Sequence, residues 1–272
     1  MVATTQELTV VFATAMVVFA SIFEVSSRIL QSLLWTTNNP GVALEKKHIP
    51  TLIRQGPSYI VSLVHCVVNG YRGIVGLVAL HHASPAVKLV SPPALVEYER
   101  HIHHVEVSNT IFFAYLVFDL FHMLRLYPKL GGMDMVVHHL VFLTCSIING
   151  SYEILPYPFC WLIVGEISTT FLDIRWALIK TGRGGTNMFQ LVQYLFALTF
   201  FLTRVVVYWL GVVELFHQRS VLMDIVWSGH VPGVFMGTTL LFIGAGSVLN
   251  LVWFQKIVAM ALSSKQQQPK TA

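Results

Sequence analysis

Long apolar runs constrain this chain more than any other feature. Hydrophobic residues make up 55% of the sequence and charged residues 11%, whereas soluble domains carry about 25% charged residues. Water cannot solvate a surface with so few charges, so the bilayer must act as the solvent. We therefore predict an all-α fold, a polytopic membrane helical bundle. The net charge of +4 comes mostly from basic residues at the ends of apolar runs, which indicates membrane topology and no nucleic-acid partner.

Seven stretches approach the roughly 20 apolar residues that a membrane span needs. We place them at 8–35, 57–82, 107–127, 133–150, 155–180, 187–213 and 233–262. The fourth is the shortest and most polar. The chain then divides into an N-terminal helix and cytoplasmic loop over 1–50, a transmembrane domain over 51–262, and a polar tail over 263–272 that we predict to be disordered.

Basic residues between the spans predict the orientation. With an odd number of spans, one side carries most of them: Lys46, Lys47, Arg54, Arg125, Lys129, Lys180, Arg183, Lys265 and Lys270. Positive charge favours the cytoplasmic side, so the N-terminus is predicted to be lumenal and the C-terminus cytoplasmic, in the endoplasmic reticulum or another endomembrane. The Asn149-Gly150-Ser151 sequon falls on the lumenal side, where it is either a glycosylation site or a tight turn beside the membrane.

Ionisable residues inside the spans indicate a functional site, because each costs about 2.5–3.5 kcal/mol to insert. The second span carries its polar residues in one stripe at spacings of three and four: Ser58, Ser62, His65, Asn69, Arg72 and Gly76. This stripe is either close-packing glue between helices or the wall of a polar cavity. We favour the cavity, and take His65, Asn69 and Arg72 as candidates for substrate binding.

Other spans place polar groups at a similar depth. Counting 1.5 Å per residue from the cytoplasmic ends, histidines and acids of four spans converge in the cytoplasmic half of the bilayer. The predicted catalytic residues are His138, His139, Asp134, Glu166 and Asp173. The remaining predicted substrate-binding residues are Asp119, His122 and Arg204.

The two adjacent histidines point about 100° apart on a helix, so the sequence leaves open which one acts. Asp134 lies four residues before His138, and its carboxylate is therefore predicted to orient that imidazole.

Metal and haem sites are not predicted. The cysteines Cys66, Cys145 and Cys160 lie in apolar runs, and the sequence contains neither CxxC nor HExxH. The histidine clusters lack the spacings of membrane diiron enzymes. A bis-histidine haem would need opposed histidines on neighbouring helices. We expect no bound cofactor.

Several short motifs resemble one known family in their order and spacing. They are Ser62-Leu-Val-His65, the Tyr115 to Asp119 segment, the His138-His139 pair, EISTTFLDIRW over 166–176, and FFLTR over 200–204. Together they resemble the TLC-domain family, which includes ceramide synthases, translocon-associated proteins and small lipid-regulating membrane proteins. The resemblance runs from about residue 51 to 262.

The resemblance implies acyl transfer. In ceramide synthases the histidine pair and the following acidic stretch transfer an acyl group from acyl-CoA to a long-chain base. This chain departs from them at Phe142, where threonine is usual, and at Thr169, where a second aspartate is usual. The 166–176 segment looks more like the small TLC-domain proteins.

We therefore expect an endomembrane lipid acyltransferase of ceramide-synthase-like type, with acyl-CoA as co-substrate and a sphingoid base or other membrane lipid as acceptor. His138 or His139 would attack the thioester or deprotonate the acceptor, with Asp134 or Glu166 orienting it. The alternative is a non-enzymatic protein that binds or traffics lipid and regulates membrane composition. A transporter is a further alternative, although we find no internal repeat. An oligomer is compatible with the sequence.

Overall fold

The computed structural model describes residues 3–35, 46–90 and 97–266. In this part of the chain it is helical and has no β-strand, which confirms the all-α prediction. The helices are α1 (Thr5–Trp35), α2 (Ile49–Leu80), α3 (Pro85–Leu89), α4 (Glu99–Arg125), α5 (Met133–Tyr152), α6 (Pro156–Ile163), α7 (Glu166–Lys180), α8 (Asn187–Phe200), α9 (Tyr208–His217), α10 (Arg219–Trp227) and α11 (Gly233–Gln266). A π-helical segment, Phe201–Val207, joins α8 to α9.

Six continuous helical segments of the described chain are long and apolar enough to cross a membrane. They correspond to six of the seven predicted spans. The fifth predicted span, 155–180, is instead two shorter helices, α6 and α7, separated at Val164 and Gly165. Both pack along α2, so the two short helices together stand where one long span was predicted. The hydropathy of the segment indicated an apolar stretch but could not show the break.

Six helices form a closed ring around a central space. In order around the ring, α2 contacts α4, α4 contacts α5, α5 contacts α11, α11 contacts α8, α8 contacts α7, and α7 contacts α2 again. Apolar side chains on the outside of this ring are widely exposed, as expected for a surface that faces lipid. The ring is the element of the fold that creates an interior.

Helix α1 lies outside the ring. It packs on α2 and α4, and its buried contacts come mainly from aromatic rings on one face. The Phe19 ring lies 6.0 Å from the Tyr115 ring, and the Phe23 ring lies 4.3 Å from the His122 ring. Other faces of α1 are exposed, including the Glu24–Arg28 ion pair.

Helix α6 closes one end of the ring. All its residues except Leu162 are buried, and it contacts α2, α4 and α9. Its Trp161 packs edge-on against Tyr208 at 5.1 Å between centroids. The Tyr208 hydroxyl in turn donates a 2.8 Å hydrogen bond to the Ile243 carbonyl of α11. A hydrophobic core therefore blocks this end, and the central space is left on the other side of α6.

Some sequence-based boundaries differ from the structure. Helix α11 runs to Gln266, four residues into the predicted disordered tail, and residues 267–272 lie outside the described residues. Asn149 is a buried residue inside α5 and not part of an exposed turn. The folded bundle therefore offers no accessible acceptor amide at the sequon. Residues 36–45 and 91–96 of the predicted connecting loops also lie outside the described residues.

A buried ion pair fastens the end of the bundle that α6 closes. The Lys88 ammonium of α3 donates to the Glu214 carboxylate of α9 at 2.7 Å, with the lysine side chain 10% and the glutamate side chain 30% exposed. The same ammonium lies 4.6 Å from the centre of the Tyr157 ring in α6. Three helices that are distant in sequence therefore meet at one cation.

We predict that Lys88→Ala destabilises the protein by about 2 kcal/mol, because the partly desolvated Glu214 carboxylate loses its cation and keeps only the Gln218 amide as a side-chain donor among the described residues. The measurement is the midpoint of thermal unfolding in detergent, followed by tryptophan fluorescence. Arg28→Ala is the matched control. It breaks an exposed ion pair, which is worth about 0–1 kcal/mol. Equal midpoints for the two variants would contradict a stabilising role for the Lys88 contact.

Candidate active site

A cavity of about 400 Å³ lies inside the ring. Its volume is within the range of small-molecule binding sites. Side chains from every helix of the ring line it. Six of the predicted site residues are among them: Asp119, His138, His139, Glu166, Asp173 and Arg204. The structure thus brings together acids, bases and a cation from four separate parts of the sequence in a mostly apolar cavity.

His139 is held on both sides. Its Nδ1 donates to the Met135 carbonyl one turn earlier at 2.9 Å, and its Nε2 lies 2.9 Å from Asp119 Oδ2. The Met135 carbonyl takes the proton of Nδ1, so the contact between Nε2 and Asp119 needs a second proton. That proton is carried either by Nε2 or by the Asp119 carboxyl group. With both ring nitrogens engaged, His139 has no free lone pair for attack on a ligand while this arrangement lasts.

His138 is held only by packing. Its ring lies 4.7 Å from the Phe142 ring and 5.7 Å from the Trp253 ring, centroid to centroid. No described residue forms a hydrogen bond with either ring nitrogen. The ring lines the main cavity and also a second, smaller cavity of about 40 Å³. His138 is therefore the histidine with a lone pair accessible to a ligand.

Arg204 organises the floor of the cavity. It lies in the π-helical segment, where an additional residue per turn changes which side chains face the interior. Its guanidinium donates to four acceptors at distances of 3.0–3.3 Å: Gly165 O, Glu166 Oε1, Ser168 Oγ and Thr169 Oγ1. A side chain at Gly165 would lie about 3.4 Å from the Arg204 side chain and 3.0 Å from the Leu162 carbonyl. The glycine therefore allows this close approach.

Glu166 is the first residue of α7, where the break after α6 places it. A carboxylate at a helix N-terminus is favoured by the helix dipole, and the Arg204 cation offsets its charge. The second carboxylate oxygen, Oε2, accepts from the Cys66 thiol at 3.2 Å. Glu166 lines both cavities, so the broken helix positions one carboxyl group between them.

Comparison with known proteins supports the family resemblance. A family model described as the TLC domain matches residues 57–259. The chain belongs to the TLC-domain family. An uncharacterized TLC domain-containing protein of Schizosaccharomyces pombe is 28% identical over 150 residues, which are 53% of this chain and 47% of that protein. The match thus spans about half the length of this curated relative. Every residue that lines the main cavity falls within the matched TLC domain.

Five predicted site residues do not line the cavity of the TLC domain. Asp134 is exposed in the first turn of α5, and the carboxylate that contacts the histidine pair belongs to Asp119. His122 is buried between the rings of Phe23 and Phe118, with its Nδ1 donating to the Phe118 carbonyl at 2.9 Å.

The polar stripe of α2 divides between two roles. Ser58 and Ser62 line the cavity. Arg72 instead donates to Ser108 Oγ at 2.8 Å and to the His104 carbonyl at 2.9 Å, and so ties α2 to α4. His65 and Asn69 lie behind the cavity wall, both almost fully buried. One end of the stripe, at Ser58 and Ser62, therefore forms cavity wall, and the other end, at Arg72, holds two helices together.

Sequence reasoning missed two cavity residues of α11, Trp253 and Lys256. Helix α11 is largely apolar and shows no helical periodicity of hydrophobicity. One tryptophan and one lysine in such a helix carry no pattern that marks them. The only local signal was a basic residue close to the predicted cytoplasmic end of the last span.

Asp173 has an unsatisfied acceptor. Its side chain lines the cavity, and its Oδ2 has no hydrogen-bond partner among the described residues. The Ser58 hydroxyl, also in the cavity wall, is unpartnered in the same way. Buried polar groups normally find partners in protein, water or ligand. This side of the cavity is therefore suited to a ligand that donates hydrogen bonds, such as an amine or alcohol.

We predict that Arg204→Met destabilises the TLC domain by about 3–5 kcal/mol, because it leaves the Glu166 carboxylate buried and unpaired. Combining it with Glu166→Gln should recover part of the loss, since the unpaired charge is then absent. Thermal unfolding midpoints of the two single variants and the double variant test this. Strictly additive losses would show that the two side chains do not stabilise each other.

Proposed function

We propose that this protein is an acyl-CoA-dependent lipid acyltransferase of ceramide-synthase-like type, and that His138 carries the chemistry. The observation that carries the proposal is the contrast between the two adjacent histidines. His139 has both ring nitrogens engaged by Met135 and Asp119, whereas His138 presents an unbonded imidazole to the cavity. A nucleophile needs a lone pair directed at its substrate.

The transfer would take two steps. A lone pair of His138 attacks the thioester carbonyl carbon, the carbon–sulfur bond breaks, and CoA leaves as a thiol after taking up the proton that the imidazole releases. The amine or hydroxyl of the acceptor then attacks the acyl-imidazole. This step forms an amide or ester, returns a proton to the imidazole and regenerates neutral His138.

The charges of the cavity suit both substrates. Arg175 and Lys256 line it from α7 and α11, and cations at these positions favour the phosphate groups of CoA. The unpartnered Oδ2 of Asp173 favours an acceptor that carries an amine or hydroxyl. The apolar side chains of the cavity, such as Phe196, Phe200 and Ile257, offer a surface for the acyl chain.

A second candidate function is lipid binding without turnover. Thr169 occupies the position where ceramide synthases tend to have a second aspartate, and here its hydroxyl accepts from Arg204 at 3.0 Å. A neutral residue tied to the cavity floor offers no second carboxylate for proton transfer. That observation favours a protein that holds a lipid in the same cavity to regulate membrane composition.

We predict that purified protein incubated with acyl-CoA gains the mass of one acyl group, and that His138→Ala abolishes the adduct. Turnover with a mixture of sphingoid and lysophospholipid acceptors should fall at least about 100-fold, the lower range for loss of a catalytic proton-transfer group or nucleophile. Intact mass spectrometry and product analysis are the two measurements. His82→Ala, an exposed histidine outside the cavity, is the matched control.

The His139→Ala variant separates positioning from chemistry. It should retain the adduct at reduced yield and lower the unfolding midpoint, because Asp119 loses its partner. An adduct that disappears in His139→Ala and persists in His138→Ala would reverse the assignment. Lipid that co-purifies with wild-type protein, with neither adduct nor product, would establish the lipid-binding function instead.

A further inference from the structure

Behind the wall of the main cavity, three metal-ligating side chains come together. One ring nitrogen of His65, the Cys66 sulfur and a Glu166 carboxylate oxygen all lie within 4.8 Å of one another. His65 and Cys66 are almost completely buried. Neither residue has a place in the acyl-transfer steps described above. We propose that these three side chains form a zinc site.

His65 supplies the first reason. Its Nε2 is buried without a hydrogen-bond partner among the described residues, and so is Asn69 Oδ1. Its Nδ1 lies 3.3 Å from the Asn69 amide. The Asn69 NH2 group faces Nδ1; rotating the amide by half a turn would present its oxygen to Nδ1–H and leave Nε2 with an unprotonated lone pair. A metal-ligating histidine is typically fixed in this way through its other nitrogen.

The remaining two ligands are already close. Cys66 Sγ and Glu166 Oε2 are 3.2 Å apart, near the roughly 3.4–3.6 Å that tetrahedral zinc imposes on its nitrogen, oxygen and sulfur ligands. The thiol proton now bridges them. Zinc binding would replace that proton: the Cys66 S–H bond breaks, a Zn–S bond forms, and one proton leaves through the cavity. The cation then offsets two adjacent negative groups that would otherwise repel.

The donor set selects the metal. One imidazole, one thiolate and one carboxylate suit zinc, whereas magnesium and calcium prefer oxygen ligands alone. The Glu166 oxygen that faces the thiol is Oε2, and Arg204 binds the other oxygen, Oε1, at 3.3 Å. Both cations can therefore share the carboxylate. Three protein ligands leave the fourth position open, and because Glu166 lines both cavities, water or a ligand oxygen from a cavity can fill it.

This site could not be recognised from the sequence. His65 and Cys66 are adjacent, and Glu166 follows 100 residues after Cys66, so no metal-binding spacing exists in the chain. The packing of α7 against α2 brings the ligands together, which is why the sequence led us to expect no metal.

The test is the zinc content of the purified full-length protein, dialysed against zinc and then against metal-free buffer, by elemental mass spectrometry. Wild type should retain about one zinc per chain, and Cys66→Ser should bind at least about tenfold more weakly, as expected for loss of a thiolate ligand. Cys160→Ser is the matched control, since Cys160 is equally buried and its thiol donates to the Pro156 carbonyl in α6. It should retain zinc like the wild type.

Cobalt substitution of the wild-type protein adds a second readout that does not depend on variants. A thiolate-to-cobalt charge-transfer band is expected, and it should be absent in Cys66→Ser. Wild type without stoichiometric zinc and without this band, while showing a cooperative unfolding transition, overturns the site. So does equal zinc in Cys66→Ser and wild type. The acyl adduct on His138 is measured separately, so an adduct without zinc refutes only the metal site.

Discussion

The ion pair between Glu166 and Arg204 is the interaction on which the candidate site depends. Each partner is costly to bury in a membrane bundle alone, and each is placed by an irregularity of its own helix. The break between α6 and α7 sets Glu166 at a helix N-terminus, and the π-helical segment turns Arg204 inward. If both segments were continuous α-helices, neither side chain would be placed in this way and the two charges would not meet. Backbone irregularity thus places this pair of charges in the interior of the bundle.

The same pair connects the two candidate chemistries. Glu166 contacts Arg204 through one oxygen and Cys66 through the other, and its side chain faces both cavities. Because both of its carboxylate oxygens are already engaged, Glu166 is not free to act as an independent catalytic base. Its contribution to the proposed acyl transfer on His138 would therefore be electrostatic. Proton and acyl transfer would then fall to His138, which is held only by packing against aromatic rings.

Much of the fold and part of the candidate site could be predicted from the sequence. The features that could not be predicted have physical causes. Low charge and long apolar runs predicted a helical membrane protein. The shared depth of polar residues predicted five that do meet in one cavity: Asp119, His138, His139, Glu166 and Asp173. Helical spacing predicted that Asp134 would orient His138. The acid that contacts the histidine pair is instead Asp119 of α4, which reaches His139. Spacing along one helix cannot reveal a contact between two helices. The difference between His138 and His139 depends on what α4 and α11 present to α5, and no local pattern encodes that. The break in the fifth span was hidden because hydropathy measures burial and not backbone continuity.

The position of α1 has a consequence for how such proteins diversify. The helix packs on the outside of the ring, the described part of it contributes no residue to the main cavity, and the family match begins only at residue 57. Apolar side chains such as Phe19 and Phe23 attach it to the ring, together with the Glu7 contact to His103 and the hydrogen bond from the Ala3 amide to Glu106. The TLC domain and the peripheral helix are therefore distinct parts of one bundle, and only the TLC domain lines the main cavity. Substitutions on the outward face of α1 can then change the surface that the bundle presents to lipids or proteins without touching a residue of that cavity.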